Sequence, residues 1–277
     1  MKFGVCCGPG SFAPEVQNQA PRPVTQLLEM LTAAGADFAE FCVGAVTPDE
    51  PDSVFDKLHR DLSKFALRVE AFNSFIPPKY PITGPQADLG AVLGYCRRAL
   101  PRCRALGGEV VVLGSGAARR FPAGFPREKA EAQFIAFCKE LGPIAERANL
   151  TIAIEPLNSS DDNLCVRVDH GARLVDAVNH PRIQLLADMF HIAYEHEPYI
   201  NIFQAGSRLR HVHVADVGRV APGFAAVGEE NFIGLFKILR QINYPGRCSF
   251  EGKFDDIDKQ TPSMIAFLKK RWLQSGE

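Results

Sequence analysis

Four stretches of the chain finish in the same way. Thr151-Ile152-Ala153-Ile154-Glu155 is a β-branched run that ends in a carboxylate and is stopped by Pro156. Ile183-Gln184-Leu185-Leu186-Ala187-Asp188, Leu209-Arg210-His211-Val212-His213 and Arg247-Cys248-Ser249-Phe250-Glu251 follow suit, each an apolar strand closing on a side chain that can hold a cation. Three carboxylates and one imidazole make a hard, mostly oxygen donor set, which suits Mn²⁺, Mg²⁺ or Co²⁺ better than a closed structural zinc site. Gathered at one place, such charges would repel one another unless a cation paired them. Glu155, Asp188, His213 and Glu251 are therefore the candidate metal ligands. His191 lies three residues past Asp188, beyond the strand, where it is better placed to hold a substrate oxygen than the ion.

The elements needed to position them can be read from the spacing. The four donors are separated by 33, 25 and 38 residues, about one strand-helix unit each time in a (β/α)₈ barrel. Strand starts near residues 2, 38, 68, 109, 151, 183, 209 and 246 complete an eightfold alternation, so the expected fold is α/β, a (β/α)₈ TIM barrel forming a single domain over residues 1–277. Side chains alternate along a strand, so His211 and His213 share a face, as do Ser249, Glu251 and Lys253. Glu40, flanked by apolar neighbours in Phe38-Ala39-Glu40-Phe41-Cys42-Val43, is expected to point into the lower part of the barrel as a structural carboxylate.

Punctuation supplies the rest. Gly8-Pro9-Gly10 should break the first strand, and the proline-rich Ile76 to Pro85 reads as a long loop of the kind that covers binding sites. Pro101 predicts a kink or break in the helix over Asp88 to Leu106. Pro126 fits the first turn of the next helix, Asp169 reads as a helix N-cap, and Thr261-Pro262 should open the last helix. His180 reads as a surface turn residue. Gly114 to Arg120 could cradle a phosphate with backbone amides and two guanidiniums, but it lacks the lysine and hydroxyl of a P-loop, and an ordinary turn with solvated arginines accounts for it.

Composition narrows the function classes. With 31 basic against 32 acidic residues and a formal net charge of −1, no global field would draw in nucleic acid or an anionic membrane. No apolar run reaches the roughly 18 residues of a membrane span and no signal-like segment opens the chain, which reads as cytoplasmic. The eight cysteines show neither C-x-x-C pairs nor regular spacing, so they read as small buried hydrophobes, with Cys6 and Cys7 able to edge the site. The expected partner is a small molecule, and a homo-oligomer is left open.

On these motifs the chain resembles the xylose-isomerase-like TIM-barrel sugar isomerases and epimerases, closest to the ketose 3-epimerases of the D-tagatose 3-epimerase type. The resemblance implies that Glu155 and Glu251 act as the acid/base pair as well as metal ligands, with Mn²⁺ the first choice and Mg²⁺, Co²⁺ or Zn²⁺ alternatives. It implies substrate contacts from His191 in Asp188-Met189-Phe190-His191 and from Arg219 in His211-Val212-His213-Val214-Ala215-Asp216-Val217-Gly218-Arg219. Asp161 stands where the family often has a longer glutamate, Lys253 where it has an apolar residue, and the loop Ala221 to Glu230 is longer than the family's compact turn. A Lys253 cation beside Arg219 would suit a carboxylate or phosphate on the substrate; a solvated lysine is the other reading.

The implied reaction passes through a metal-stabilised enediolate, with one glutamate removing a proton and the other returning one. Alternatives are a lyase of the same barrel group acting on an inosose-like or dehydroshikimate-like ring, and a sugar-binding barrel without turnover. The related endonuclease IV branch shares Asp188-x-x-His191 but needs histidines where this chain has Asn73-Ser74 and Gly114-Ser115.

Overall fold

The β-branched and aromatic runs become strands because each can be covered on both faces, by the barrel interior on one side and by helices on the other. In a computed structural model describing residues 1–7 and 23–277, they are β1 (Lys2–Cys6), β2 (Phe38–Cys42), β3 (Val69–Asn73), β4 (Val110–Leu113), β5 (Thr151–Ile154), β6 (Ile183–Asp188), β7 (Leu209–Val214) and β8 (Arg247–Phe250). All neighbours pair in parallel and in chain order, and β8 returns to β1 with Lys2 opposite Arg247, closing the barrel. The expected (β/α)₈ architecture is the observed one. The break assigned to Gly8-Pro9-Gly10 lies outside the described residues.

Inside the barrel Phe38, Ala71, Val110, Val112, Ala153 and Leu186 form one apolar cluster. A side chain on Gly4 would collide with the Phe38 ring, so the smallest residue sits opposite one of the largest. The second apolar layer lies between the strands and the helices, which are α1 (Val24–Ala33), α2 (Asp52–Leu62), α3 (Leu89–Ala105), α4 (Gly116–Arg119), α5 (Arg127–Arg147), α6 (Val168–Val178), α7 (Met189–Tyr194), α8 (Ile200–Ala205), α9 (Phe232–Gln241) and α10 (Ile257–Gln274). In α5 the residues Ala130, Phe134, Phe137, Cys138, Leu141 and Ile144 are buried along one face. At the N-terminal rim Glu70 takes Lys2 Nζ at 2.7 Å and Arg247 Nε at 2.6 Å, tying β1, β3 and β8 together away from the mouth.

Four details of the helices differ from the sequence reading. Pro101 does not interrupt α3, because Ala99, Leu100 and Cys103 are buried around it and packing outweighs the missing hydrogen bond. Asp169 is in the first turn of α6 rather than at its N-cap; the cap position is Arg167, and the Glu197 carboxylate accepts from Val168 N at 3.0 Å. The last helix starts five residues before Pro262, at Ile257, because the Asp256 side chain accepts from Lys259 N at 3.2 Å and provides an earlier cap. Pro126 itself occupies the N-cap of α5, one residue outside its expected place.

Candidate metal centre and substrate cavity

Each candidate ligand reaches the C-terminal mouth by the end of its strand. Asp188 is the last residue of β6, His213 lies one residue before the end of β7, and Glu155 and Glu251 come directly after β5 and β8. Backbone pairing continues to hold both glutamates, through Glu155 N to Leu113 O at 3.2 Å and Glu251 N to Val214 O at 3.1 Å. From the middle of the group His213 Nδ1 stands 3.0 Å from Glu155 Oε1, 3.5 Å from Glu251 Oε2 and 3.9 Å from Asp188 Oδ2. One donor atom from each of the four residues lies within 4.8 Å of the others.

Asp188 shows that this set fits a cation. Its Oδ1 is used by the backbone, accepting from Phe190 N at 2.7 Å and so capping α7. Its Oδ2 is buried and has no hydrogen-bond partner. A buried carboxylate oxygen left unpaired is costly, and a divalent cation among three carboxylates and an imidazole would satisfy it. Glu155, Asp188, His213 and Glu251 are the residues that could hold that ion.

The surroundings push the two glutamates in opposite directions. Burial lifts the Glu155 carboxyl above its ordinary range, more than its contact with His213 lowers it. Burial acts on Glu251 too, but charge on His213 and Arg219 outweighs it and holds the carboxyl at about 2. Arg219 Nη2 donates to Glu251 Oε2 at 2.7 Å, and Asn73 Nδ2 donates to Oε1 at 2.9 Å. Asn73 ends β3, and its role was missed because nothing in one sequence tells which strand end faces which. Glu155 has a different requirement, since a Cβ on Gly114 would overlap its Oε2. That glycine serves close approach as well as the turn.

A cavity of about 500 Å³ opens above this group, lined by Glu155, Glu251, Asp161, His191 and Arg219 and walled by Ser74, Ile76, Pro77, Pro78, Ser115, Gly116, Ala117 and Leu157. The loop from Ile76 thus supplies a wall, as its length and prolines led us to expect. His191 Nδ1 accepts from Asn158 N at 3.0 Å, which leaves Nε2–H as the donor of the neutral ring. The same Asn158 donates through Nδ2 to Asp161 Oδ2 at 2.8 Å, so one loop residue orients both side chains. Arg219 adopts a positive φ of 61° and lies 4.7 Å from the Phe190 ring centroid.

Lys253 does not line the cavity. Its side chain is exposed, and its backbone N–H donates to Arg219 O at 2.8 Å. In the Gly114 to Arg120 turn Arg119 is not solvated. Its guanidinium is fully buried, paired with Asp162 Oδ2 at 2.8 Å, and it donates to Leu113 O at 2.9 Å and Glu155 O at 2.7 Å. Arg120 is the exposed member of the pair. All eight cysteines are free and buried, and Cys6 lies under the site with Sγ 4.0 Å from His213 Nε2. Among the described residues no helix is long and apolar enough to cross a membrane.

A closed parallel barrel with a carboxylate-imidazole cluster and a cavity at its C-terminal mouth defines a class of barrel protein that holds its site on strand ends. The model of the xylose isomerase-like TIM barrel family matches residues 28–271, and the chain belongs to that family. It is similar to an L-ribulose 3-epimerase of a Methylomonas species, 27% identical over 184 residues that span 65% of this chain and 63% of the relative. It is also similar to the 3-dehydro-D-guloside 4-epimerase of Escherichia coli, 31% identical over 139 residues spanning 49% of this chain and 50% of the relative. The chain thus matches between half and just under two thirds of the length of these curated relatives. A crystal structure of D-psicose 3-epimerase with D-tagatose from Clostridium cellulolyticum superposes with a TM-score of 0.82 at 18% identity, covering 98% of this chain and 99% of that one, a likeness of fold.

Proposed function

We propose that this protein is a divalent-metal-dependent sugar epimerase that moves a proton on a carbon next to a ketose carbonyl. The observation that carries the reading is the pair of buried glutamates, Glu155 and Glu251, meeting around one imidazole beneath a single cavity. Names of the relatives support the reaction class, since they act at C3 in one case and C4 in the other. Epimerisation at either carbon requires a proton to leave and another to arrive.

A bound divalent ion, Mn²⁺ by the hardness of the donors, would polarise the carbonyl and make the adjacent C–H more acidic. The protein's part is to place and move protons. Glu155 and Glu251 are the carboxylates that would take one proton and return another, and Arg219 and Asn73 orient Glu251 through hydrogen bonds. Their entry from different strands supports work on opposite faces of the substrate, which is what inversion requires. His191 would donate Nε2–H to a sugar oxygen, Arg219 would hold another, and Asp161 would accept from a hydroxyl.

Arg219 is the arginine among the residues lining the cavity, no lysine joins it there, and it is already paired with Glu251. That supports an uncharged sugar over one bearing phosphate. A panel of free ketoses, ketose phosphates, keto-inositols and dehydroshikimate, incubated with Mn²⁺ or with chelator and followed by NMR, tests the proposal. Metal-dependent appearance of an epimeric ketose is expected. Dehydrated products, or turnover restricted to phosphorylated substrates, would contradict it.

A further inference from the structure

The Glu40 carboxylate is fully buried inside the barrel, on the far side of His213 from the metal-binding group. Its Oε1 is 3.0 Å from His213 Nε2. Its Oε2 accepts from Ser249 Oγ at 2.6 Å and meets His211 Nε2 at 2.7 Å. His213 therefore has carboxylates at both ring nitrogens, Glu40 at Nε2 and the Glu155, Glu251 and Asp188 group at Nδ1.

Such a ring has two neutral forms, of which only one can serve as a ligand through Nδ1. A proton on Nδ1 would occupy the lone pair that the ion needs; a proton on Nε2 leaves it free. We propose that Glu40 is a positioning residue that accepts the Nε2–H of His213, fixing the tautomer and ring orientation in which Nδ1 faces the metal. This rests on the metal reading above and extends it to a residue that the spacing alone assigned to structure.

Two further observations favour a positioning role. A buried carboxylate requires compensation, and His211, Ser249 and the chain from Glu40 through His213 to a cation supply it. Glu40 also lies at a register shift between β2 and β3, between Ala39 and Glu40, a local irregularity of the kind that re-aims a side chain beside a site. Cys6, Glu40 and His213 could together be offered to a second ion. Both Glu40 oxygens already have donors, however, and Nε2 cannot carry a proton and a metal at once.

The test is metal binding by the full-length protein, with Mn²⁺ as the probe read by EPR and calorimetry. Wild type should bind one equivalent, and Glu40→Ala should bind about 10- to 100-fold more weakly while remaining folded by circular dichroism. Glu40→Gln keeps an oxygen that can accept from Nε2–H and should recover part of the affinity. A wild type that binds no Mn²⁺ overturns the metal reading itself. Wild-type affinity in a folded Glu40→Ala variant overturns only the role of Glu40.

Long-range ¹⁵N–¹H NMR on Mg²⁺-loaded wild type needs no variant and covers the case in which Glu40→Ala does not fold. His213 should carry its proton on Nε2. A proton on Nδ1, or a second equivalent of Zn²⁺ that disappears in Cys6→Ser, would overturn the proposal.

Discussion

Asp188 illustrates how far individual residues could be read. Its place at the end of an apolar strand marked it as a donor, but only the fold shows that one oxygen caps α7 while the other is left without a partner. Glu155, His213 and Glu251 were found by the same grammar, and they meet Asp188 because successive strand-helix units bring the strand ends to one mouth. Asn73, Asn158 and Glu40 were not legible as parts of a site, since each works through contact with a residue distant in sequence. The glutamates allow a direct test. Glu155→Gln and Glu251→Gln should each lower turnover by at least about 100-fold, the usual cost of a missing general acid or base. Both should retain Mn²⁺ in part, because the amide oxygen can still ligate. A glutamine variant with metal bound and turnover unchanged would remove that glutamate from the proton path.

At the scale of elements, the strands were legible because a covered parallel strand must be apolar along its length. The helix ends were less so. Asp169, Thr261 and Pro262 carry helix-start chemistry, yet Glu197 and Asp256 make the contacts that settle where α6 and α10 begin. Arg119 in the Gly114 to Arg120 turn was read as solvated for a related reason: nothing local announces that it will be buried against Asp162, 43 residues away. Arg119 of that pair holds the carbonyls of Leu113, the last residue of β4, and of Glu155, directly after β5. Replacing Asp162 by alanine would leave an uncompensated buried guanidinium, and about 3 to 5 kcal/mol of stability should be lost in urea unfolding. A loss below about 1 kcal/mol would mean that Arg119 finds water or another partner, and that the anchor is weaker than its geometry implies.

Across the whole molecule the two rims are built for different tasks. The N-terminal rim joins strands through compensated pairs such as Arg247 with Glu70, whereas the C-terminal mouth collects three carboxylates around one imidazole and one arginine and leaves Asp188 Oδ2 without a hydrogen-bond partner. Concentrating carboxylates at one point is what supports the proposed cation and proton-moving reaction. Proton movement can be followed with unmodified protein in D₂O, with a ketose the enzyme turns over, in the presence of Mn²⁺ and again after chelation. With metal, solvent deuterium should enter the carbon next to the carbonyl as the epimer forms, and after chelation neither product nor deuterium should accumulate. Epimer formed without deuterium at that carbon, or at an undiminished rate after chelation, would contradict a metal-assisted proton transfer between Glu251 and Glu155.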